Sequence, residues 1–247
     1  MKLSFETDAG LGTRASLGLI VLQSDETIEP ELKRITELEG VVLYHNRIPM
    51  ASQVTAETLR AMEREIPDSV RLLPPTVDFN AIGYGCTSAS TIIGPQGIER
   101  AIQSVRPGVT VSNPISAVVA ACRALNAQRI GFVTPYIAEV SAAMREHLIG
   151  EGFEISAFAS FEEGDDSVVA RISSASILSA IKQVAAQANC DVVFVSCTNM
   201  RVADIVAQAE LAIGKPVISS NLALGWHMLR LAGINDDRPG LGALFKK

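Results

Sequence analysis

Short apolar runs alternate along the chain with longer amphipathic segments. Apolar runs of about four to eight residues are typical of strands buried on both faces, and apolar residues at helical spacing indicate helices. The predicted strands are Ala15–Leu22, Val41–Tyr44, Ala81–Gly83, Val109–Val111, Arg129–Thr134, Glu154–Phe158, Asp191–Ser196 and Pro216–Ser219. The predicted helices are Pro30–Glu39, Ala56–Ile66, Thr91–Ser104, Ile115–Leu125, Val140–Glu151, Ala175–Ala188, Val202–Ile213 and Leu222–Leu231. This alternation predicts a parallel sheet covered by helices on both faces.

Three landmarks in the same order indicate that the chain is internally duplicated. The matched pairs are Gly18 with Gly131, 113 residues apart, Cys86 with Cys197, 111 apart, and Asn113 with Asn221, 108 apart. A nearly constant offset predicts an α/β fold of two pseudo-symmetric lobes, each a four-stranded parallel sheet flanked by helices. We expect residues 1–112 to form the N-terminal lobe and residues 113–219 the C-terminal lobe. Residues 220–247 would then pack back on the first lobe.

Composition excludes several classes of protein. Of the 247 residues, 48% are apolar and 19% charged, which is typical of a well-packed globular chain. The net charge of −6, with scattered basic residues, gives no nucleic-acid footprint, and no apolar run approaches the ~18 residues of a membrane span. The first ten residues carry Glu6 and Asp8 and lack an apolar stretch, so we predict no signal peptide and a cytoplasmic location.

No motif for a metal or an organic cofactor is present. The three histidines lie far apart, and the four cysteines are separated by 36, 68 and 7 residues, which matches neither a CxxC pair nor a zinc ribbon. The glycine-rich signatures of dinucleotide and P-loop binding do not occur. We therefore predict free thiols, no metal, no cofactor, and chemistry performed by side chains on a small carboxylate substrate.

Cys86 and Cys197 each follow a predicted strand, at the edge where parallel α/β sheets bind ligands. Each precedes small polar residues that we expect to begin a helix, and a helix N-terminus lowers the pKa of a thiol. Two thiols on opposite sides of one carbon can act as base and acid, or one can attack carbon while the other donates a proton. Cys122 and Cys190 lack this matched context, and we interpret them as buried hydrophobic residues.

Several segments resemble the aspartate/glutamate racemase superfamily, and in particular its branch with maleate cis–trans isomerase and arylmalonate decarboxylase. Within this branch the pattern is similar to the racemase-like proteins of ectoine-utilisation operons. The segments are Leu22-Gln-Ser-Asp-Glu-Thr-Ile-Glu-Pro-Glu-Leu, Gly83-Tyr-Gly-Cys-Thr-Ser, Thr134-Pro-Tyr, Ser196-Cys-Thr-Asn, Ser219-Ser-Asn and Trp226-His-Met-Leu-Arg.

The resemblance implies roles for particular side chains. Cys86 and Cys197 would be the acid/base or nucleophile pair in a cleft between the lobes. The implied substrate-binding residues are Thr87, Ser88 and Tyr136 around one carboxylate, and Thr198 and Asn199 beside the second cysteine. Decarboxylases of the branch carry one of the two cysteines, so the presence of both favours isomerisation or racemisation. The resemblance also implies a homo-oligomer, a dimer or larger.

Asp25 departs from the family pattern, because the maleate isomerases carry asparagine at the aligned position. Two interpretations stay open: Asp25 selects a substrate with an ammonium group, or it caps the helix that follows. The acidic segment Glu162–Asp166 is compatible with a lid over a cationic substrate. Arg47 is expected to be an exposed loop arginine.

Three functions are therefore compatible with the sequence. The leading one is racemisation or epimerisation next to a carboxylate of an amino acid or its N-acyl derivative, and the ectoine-related resemblance implies substrates of the diaminobutyrate type. The second is maleate cis–trans isomerisation. The third, which the presence of both cysteines disfavours, is non-catalytic binding of a small acid.

Overall fold

The computed structural model describes residues 1–50 and 56–247. A first parallel sheet has the strand order β2-β1-β3-β4, and a second has the order β6-β5-β7-β8. The strands are β1 Ala15–Leu22, β2 Val41–Ile48, β3 Ala81–Gly85, β4 Thr110–Ser112, β5 Arg129–Thr134, β6 Glu154–Ser160, β7 Val192–Val195 and β8 Val217–Ser219. The equivalent strand orders confirm the predicted α/β class with two four-stranded parallel sheets.

Helices connect successive strands, as parallel pairing requires. They are α1 Ile28–Thr36, α2 Ala56–Ala61, α3 Ile66–Arg71, α4 Thr87–Ile93, α5 Pro95–Gln103, α6 Pro114–Ala124, α7 Ala138–Gly150, α8 Asp166–Val169, α9 Ser174–Gln187, α10 Val206–Ile213 and α11 Ser220–Leu231. Short 3₁₀ turns cover Met62–Glu65 and Ala243–Lys246. Among the described helices none is long and apolar enough to cross a membrane.

Three of the predicted helices differ from the structure by more than a shift of one to three residues at an end. The segment predicted as one helix at Thr91–Ser104 is two helices, because Gly94 has a φ of +83° and Pro95 begins α5. The helix predicted from Val202 begins only at Val206. The helix predicted at Ala56–Ile66 is interrupted by the first 3₁₀ turn, and α8 was not predicted.

Helix α11 lies where the two halves of the chain meet. The side chain of Ser219 caps it by accepting the N–H of Leu222 at 3.1 Å, and its buried face packs against α1, α6 and β3. Gly225 permits this close approach, because a Cβ there would lie 2.6 Å from a side-chain carbon of Ile35. The lobe boundaries at residues 112/113 and 219/220 stay a prediction.

Candidate active site

Cys86 follows β3, a central strand of the first sheet, and is buried. It is the N-cap of α4, and its sulfur accepts the N–H of Ala89 at 3.4 Å and lies 3.5 Å from Ser88 Oγ. The N–H and the hydroxyl both favour the thiolate. The position of Cys86 is therefore determined by its own segment of chain.

Cys197 follows β7, the matching central strand of the second sheet, and is also buried. Its backbone has a φ of +94°, which is strained for a non-glycine residue, and its sulfur accepts the N–H of Asn199 at 3.4 Å. The predicted helix N-terminus is wrong here, because a turn follows Cys197 and α10 begins nine residues later.

Ser220 ties the two cysteine segments together at the N-terminus of α11. Its Oγ accepts a hydrogen bond from Thr87 Oγ1 at 2.8 Å and another from the backbone N–H of Cys197 at 3.1 Å. Ser220 and Thr87 are fully buried. One hydroxyl thus links the residue after Cys86 directly to Cys197, which fixes the two segments relative to each other.

Tyr136 brings the two thiols to a common point. Its hydroxyl hydrogen-bonds to the Cys197 sulfur, and burial, followed by the charges of Cys197 and Cys86, raises the pKa of the phenol. The Tyr136 carbonyl is held by the hydroxyls of Ser160 and Ser141 at 2.5 and 3.1 Å. The structure therefore places Tyr136 in contact with Cys197, and near enough to Cys86 for the charge of that thiol to act on the phenol.

Asp25 is buried beside the thiols and caps α1. One carboxylate oxygen accepts the N–H groups of Thr27 and Ile28 at 2.8 and 2.7 Å, which is the capping interaction that the sequence left open. Thr198 also hydrogen-bonds to this carboxyl group. Burial raises the pKa of Asp25, the hydrogen bonds lower it, and nearby Asp166 raises it further.

Asp166 is a second carboxylate at this site. Ser24 Oγ donates to its Oδ2 at 2.6 Å, and Asn199 Nδ2 donates to its backbone carbonyl at 3.1 Å. The negative charges of Asp166 and Asp25 raise the pKa of both thiols. The acidic segment Glu162–Asp166 thus contributes a charge to the thiol site through its last residue.

The predicted lowering of the thiol pKa is wrong for this structure. Burial raises the pKa of Cys86 to about 11 and raises that of Cys197 well above its usual range. Hydrogen bonds to the sulfurs act in the opposite direction but are outweighed. The physical reason is that a thiolate loses its hydration when it is enclosed, and the two carboxylates add a repulsive field.

The remaining predicted residues are all close to the cysteines. Ser88 contacts Cys86, whereas the Thr87 hydroxyl is engaged with Ser220. The Asn199 side chain accepts the N–H of Glu26 at 2.9 Å, which joins the Asp25 loop to the Cys197 turn. Among the described residues, no group of three side chains suited to a metal ion lies together.

Sequence reasoning missed three residues that build this site, Ser24, Glu31 and Ser220, and named Asp166 only as the end of the acidic segment Glu162–Asp166. Ser24, Glu31 and Ser220 lie inside segments that carry the family resemblance. Their place within these segments was the sequence signal that could have identified them. Arg47 is exposed, as predicted, but it lies in β2 and not in a loop, and it donates to the backbone carbonyls of residues 22, 23 and 25 at 3.0 to 3.2 Å.

Comparison with known proteins agrees with this architecture. The maleate isomerase of Pseudomonas putida is 28% identical over 242 residues, covering 92% of this chain and 96% of that protein. The maleate isomerase of Nocardia farcinica is 26% identical over 240 residues, covering 94% and 95%. A solved structure of the Nocardia farcinica maleate cis–trans isomerase, a cysteine-to-serine mutant with a covalently bound succinylcysteine intermediate, is 27% identical and superposes with a TM-score of 0.82 over 94% of this chain and 98% of that one.

The family assignment comes from the second half of the chain together with this fold. The family model for arylmalonate decarboxylase matches residues 98–245, which include Tyr136 and Cys197. The match covers more than half of the sequence, and the structural likeness to the Nocardia farcinica isomerase extends over 94% of the chain. The chain belongs to the arylmalonate decarboxylase family, within the aspartate/glutamate racemase superfamily.

Proposed function

We propose that the protein is a cofactor-independent isomerase in which Cys86 and Cys197 act on one carbon next to a carboxylate. The observation that carries the proposal is the hydrogen bond between the Tyr136 hydroxyl and the buried Cys197 sulfur, with buried Cys86 near enough for its charge to act on the same phenol. The relatives named as maleate isomerases, and the succinylcysteine intermediate in one of them, support isomerase chemistry by cysteine.

For a racemase, one cysteine must be a thiolate and the other a thiol. The thiolate removes the α-proton from one face, the electron pair passes into the carboxylate as an enolate, and the opposite thiol returns a proton to the other face. The product carries inverted configuration, and the two sulfurs exchange protonation states. The hydroxyls of Tyr136 and Ser88 would stabilise the enolate oxygen, while the Thr87 hydroxyl stays bound to Ser220, and Thr198 and Asn199 support the second thiol.

The two carboxylates favour a substrate that carries an ammonium group. Asp25 and Asp166 both raise the pKa of the thiols, so a dianionic substrate would meet repulsion and leave the thiols protonated. An ammonium group bound beside them would offset that field and make the thiolate easier to form. This argument supports an amino acid or its N-acyl derivative with a second amine, of the diaminobutyrate type.

Replacement of Asp25 tests this preference. Asparagine is also a good helix cap, so Asp25→Asn removes the charge and retains the capping interaction with α1. We expect the variant to lose turnover of amine-bearing substrates and to gain turnover of maleate. Asp25→Ser is the matched control, because it also caps without charge but lacks the amide. An unchanged substrate preference in both variants would leave Asp25 with capping alone.

Maleate cis–trans isomerisation is the second candidate, favoured by the identity to maleate isomerases over more than nine-tenths of the chain. One thiolate would add to the double bond and form a C–S bond, with a carbanion stabilised by the adjacent carboxylate. Rotation about the resulting single bond, followed by expulsion of the thiolate, would give fumarate. Atoms balance without a cofactor in this reaction as well.

The experiment that separates these functions is proton NMR in D₂O. The panel contains aspartate, glutamate, 2,4-diaminobutyrate, its N-acetyl forms, and maleate. Loss of an α-proton signal supports the racemase, and conversion of maleate to fumarate without exchange supports the second candidate. Both activities should disappear in Cys86→Ser and Cys197→Ser but persist in Cys122→Ala, a control at a buried thiol on α6. Activity that survives both serine variants would refute the two-cysteine mechanism.

A further inference from the structure

Glu31 is a buried carboxylate on α1 that neither reaction uses. Its Oε1 accepts the backbone N–H groups of Val202 and Ala203 at 2.7 and 2.8 Å, and its Oε2 accepts Asn221 Nδ2 at 2.9 Å. These donors belong to the turn after Cys197 and to α11. A buried charge with three donors from two distant segments indicates a specific structural task.

We propose that Glu31 is a positioning residue for Cys197, acting through Asn221 and the turn at residues 198–203. Asn221 Nδ2 also donates to the Thr198 carbonyl at 2.7 Å. The turn is therefore fixed near its beginning by Asn221 and at its end by the carboxylate. This arrangement holds the positive φ of Cys197, a conformation that needs support from its surroundings.

Asn221 also provides a way for this support to be lost. Its Oδ1 is buried and has no hydrogen-bond partner among the described residues. If Glu31 takes up a proton on Oε2, that oxygen becomes a hydrogen-bond donor, and it then faces Asn221 Nδ2, which is also a donor. Rotation of the amide would turn Oδ1 toward the new donor, and Nδ2 would then leave the Thr198 carbonyl. Protonation of Glu31 would thus break the hydrogen bond between Asn221 Nδ2 and the Thr198 carbonyl, which holds the beginning of the turn.

The charges around Glu31 make this change accessible near neutral pH. Burial raises its pKa to about 7, the hydrogen bonds from Asn221, Ala203 and Val202 lower it, and Asp204 raises it further. Asp204 lies on the segment after the turn and pairs with Arg34 of α1. The contribution of α11 to the carboxylate is the neutral amide of Asn221.

Glu31→Gln imitates the protonated state at every pH, because its amide donates where the protonated acid would. The effect of Glu31 on catalysis rests on the proposed function, but the order of the turn can be measured by hydrogen exchange without a substrate. The experiment therefore combines hydrogen exchange of peptides containing residues 198–203 with a pH–rate profile on the substrate found by NMR. Glu37→Gln is the control, since Glu37 is an exposed glutamate at the end of the same helix.

In the parent enzyme, the exchange rate of the turn, corrected for the intrinsic rate, should increase about fivefold between pH 8 and pH 6. A lost hydrogen bond is worth about tenfold, and about a tenth of Glu31 is protonated at pH 8 against about nine tenths at pH 6. Glu31→Gln should show the faster exchange at both pH values, with kcat reduced about 10- to 100-fold and KM changed much less. The acidic limb of the rate profile near pH 7 should be absent from this variant and present in Glu37→Gln.

Two results would overturn the inference: turn protection in Glu31→Gln equal to that of the parent at pH 8, or an acidic limb that persists in this variant. Should Glu31→Gln fail to fold, Asn221→Ala replaces it, and the exchange of residues 198–200 should then be fast at both pH values. Slow exchange in a folded Asn221→Ala variant would equally overturn the inference. If exchange responds as expected but no substrate on the panel reacts, the proposed function fails while the positioning of the turn stands.

Discussion

Replacement of Ser220 by alanine tests whether one hydroxyl joins the two cysteine segments. The change removes the acceptor of two buried donors, the Thr87 hydroxyl at 2.8 Å and the Cys197 N–H at 3.1 Å. Each orphaned buried donor costs roughly 1–3 kcal/mol. Because the Thr87 hydroxyl can rotate and find another partner, part of its loss is recovered. We therefore expect the free energy of unfolding of the variant to be about 2–4 kcal/mol lower than that of the parent. That is a large share of the 5–15 kcal/mol typical of a domain.

Urea denaturation followed by circular dichroism measures this loss, and kcat measures its effect on the site. Movement of Cys197 by a fraction of an ångström should lower kcat at least tenfold. Thr87→Val removes only one of the two donors, so the double variant with Ser220→Ala should be less destabilised than the sum of the single changes. Ser179→Ala, at an exposed position on α9, is the control and should change stability by less than about 0.5 kcal/mol.

A loss of stability in Ser220→Ala as small as that of the control would refute this reasoning. Additive effects of Ser220→Ala and Thr87→Val would also refute it, because residues that share one hydrogen bond must show a coupling energy. Lower activity with unchanged stability would mean that the hydroxyl contacts the reacting groups and does not act as a structural link.

Three further predictions follow from burial and close contact. Gly225→Ala should lower stability by about 1–3 kcal/mol in calorimetry, since its Cβ would meet Ile35 at 2.6 Å, whereas Gly150→Ala, with nothing within 4 Å, should not. With a folded pKa of about 7 against 4.5 when unfolded, Glu31 makes the protein lose about 3 kcal/mol of stability as pH rises from 4.5 to 7, and Glu31→Gln should lack this slope in urea titrations. A pKa of about 11 leaves about 0.1% thiolate on Cys86 at pH 8, so iodoacetamide should modify the substrate-free enzyme slowly and faster as pH rises, as mass spectrometry would show.

The sheets could be predicted because their signal is local. A strand buried on both faces is apolar at most positions, and β1 and β5 were predicted with their observed bounds. Helix ends were less predictable, since they depend on single residues such as Gly94, whose positive φ divides α4 from α5. The turn after Cys197 contains the apolar residues Met200 and Val202, which the sequence alone cannot distinguish from the start of a helix.

The site was predictable to the extent that it repeats. The matched offsets identified Cys86 and Cys197, and the strand ends indicated why they lie in equivalent places. The contacts that hold the thiols join residues far apart in the chain, such as Thr87 with Ser220, and no periodicity encodes them. The direction of the thiol pKa was missed for a related reason, because enclosure by both halves outweighs the local donors at each sulfur.

The two halves repeat in topology but hold their cysteines by different means. Cys86 is supported by its own helix, through the N–H three residues later. Cys197 has a strained backbone, and its surroundings are fixed by Ser220 and by the carboxylate of Glu31, which belong to other segments. A duplicated fold therefore gives two thiols at equivalent positions without making them chemically equivalent. A buried charge near Cys197 lowers the stability of the fold, and the same charge orders the turn, so the stability lost as Glu31 ionises is coupled to the geometry of the second thiol.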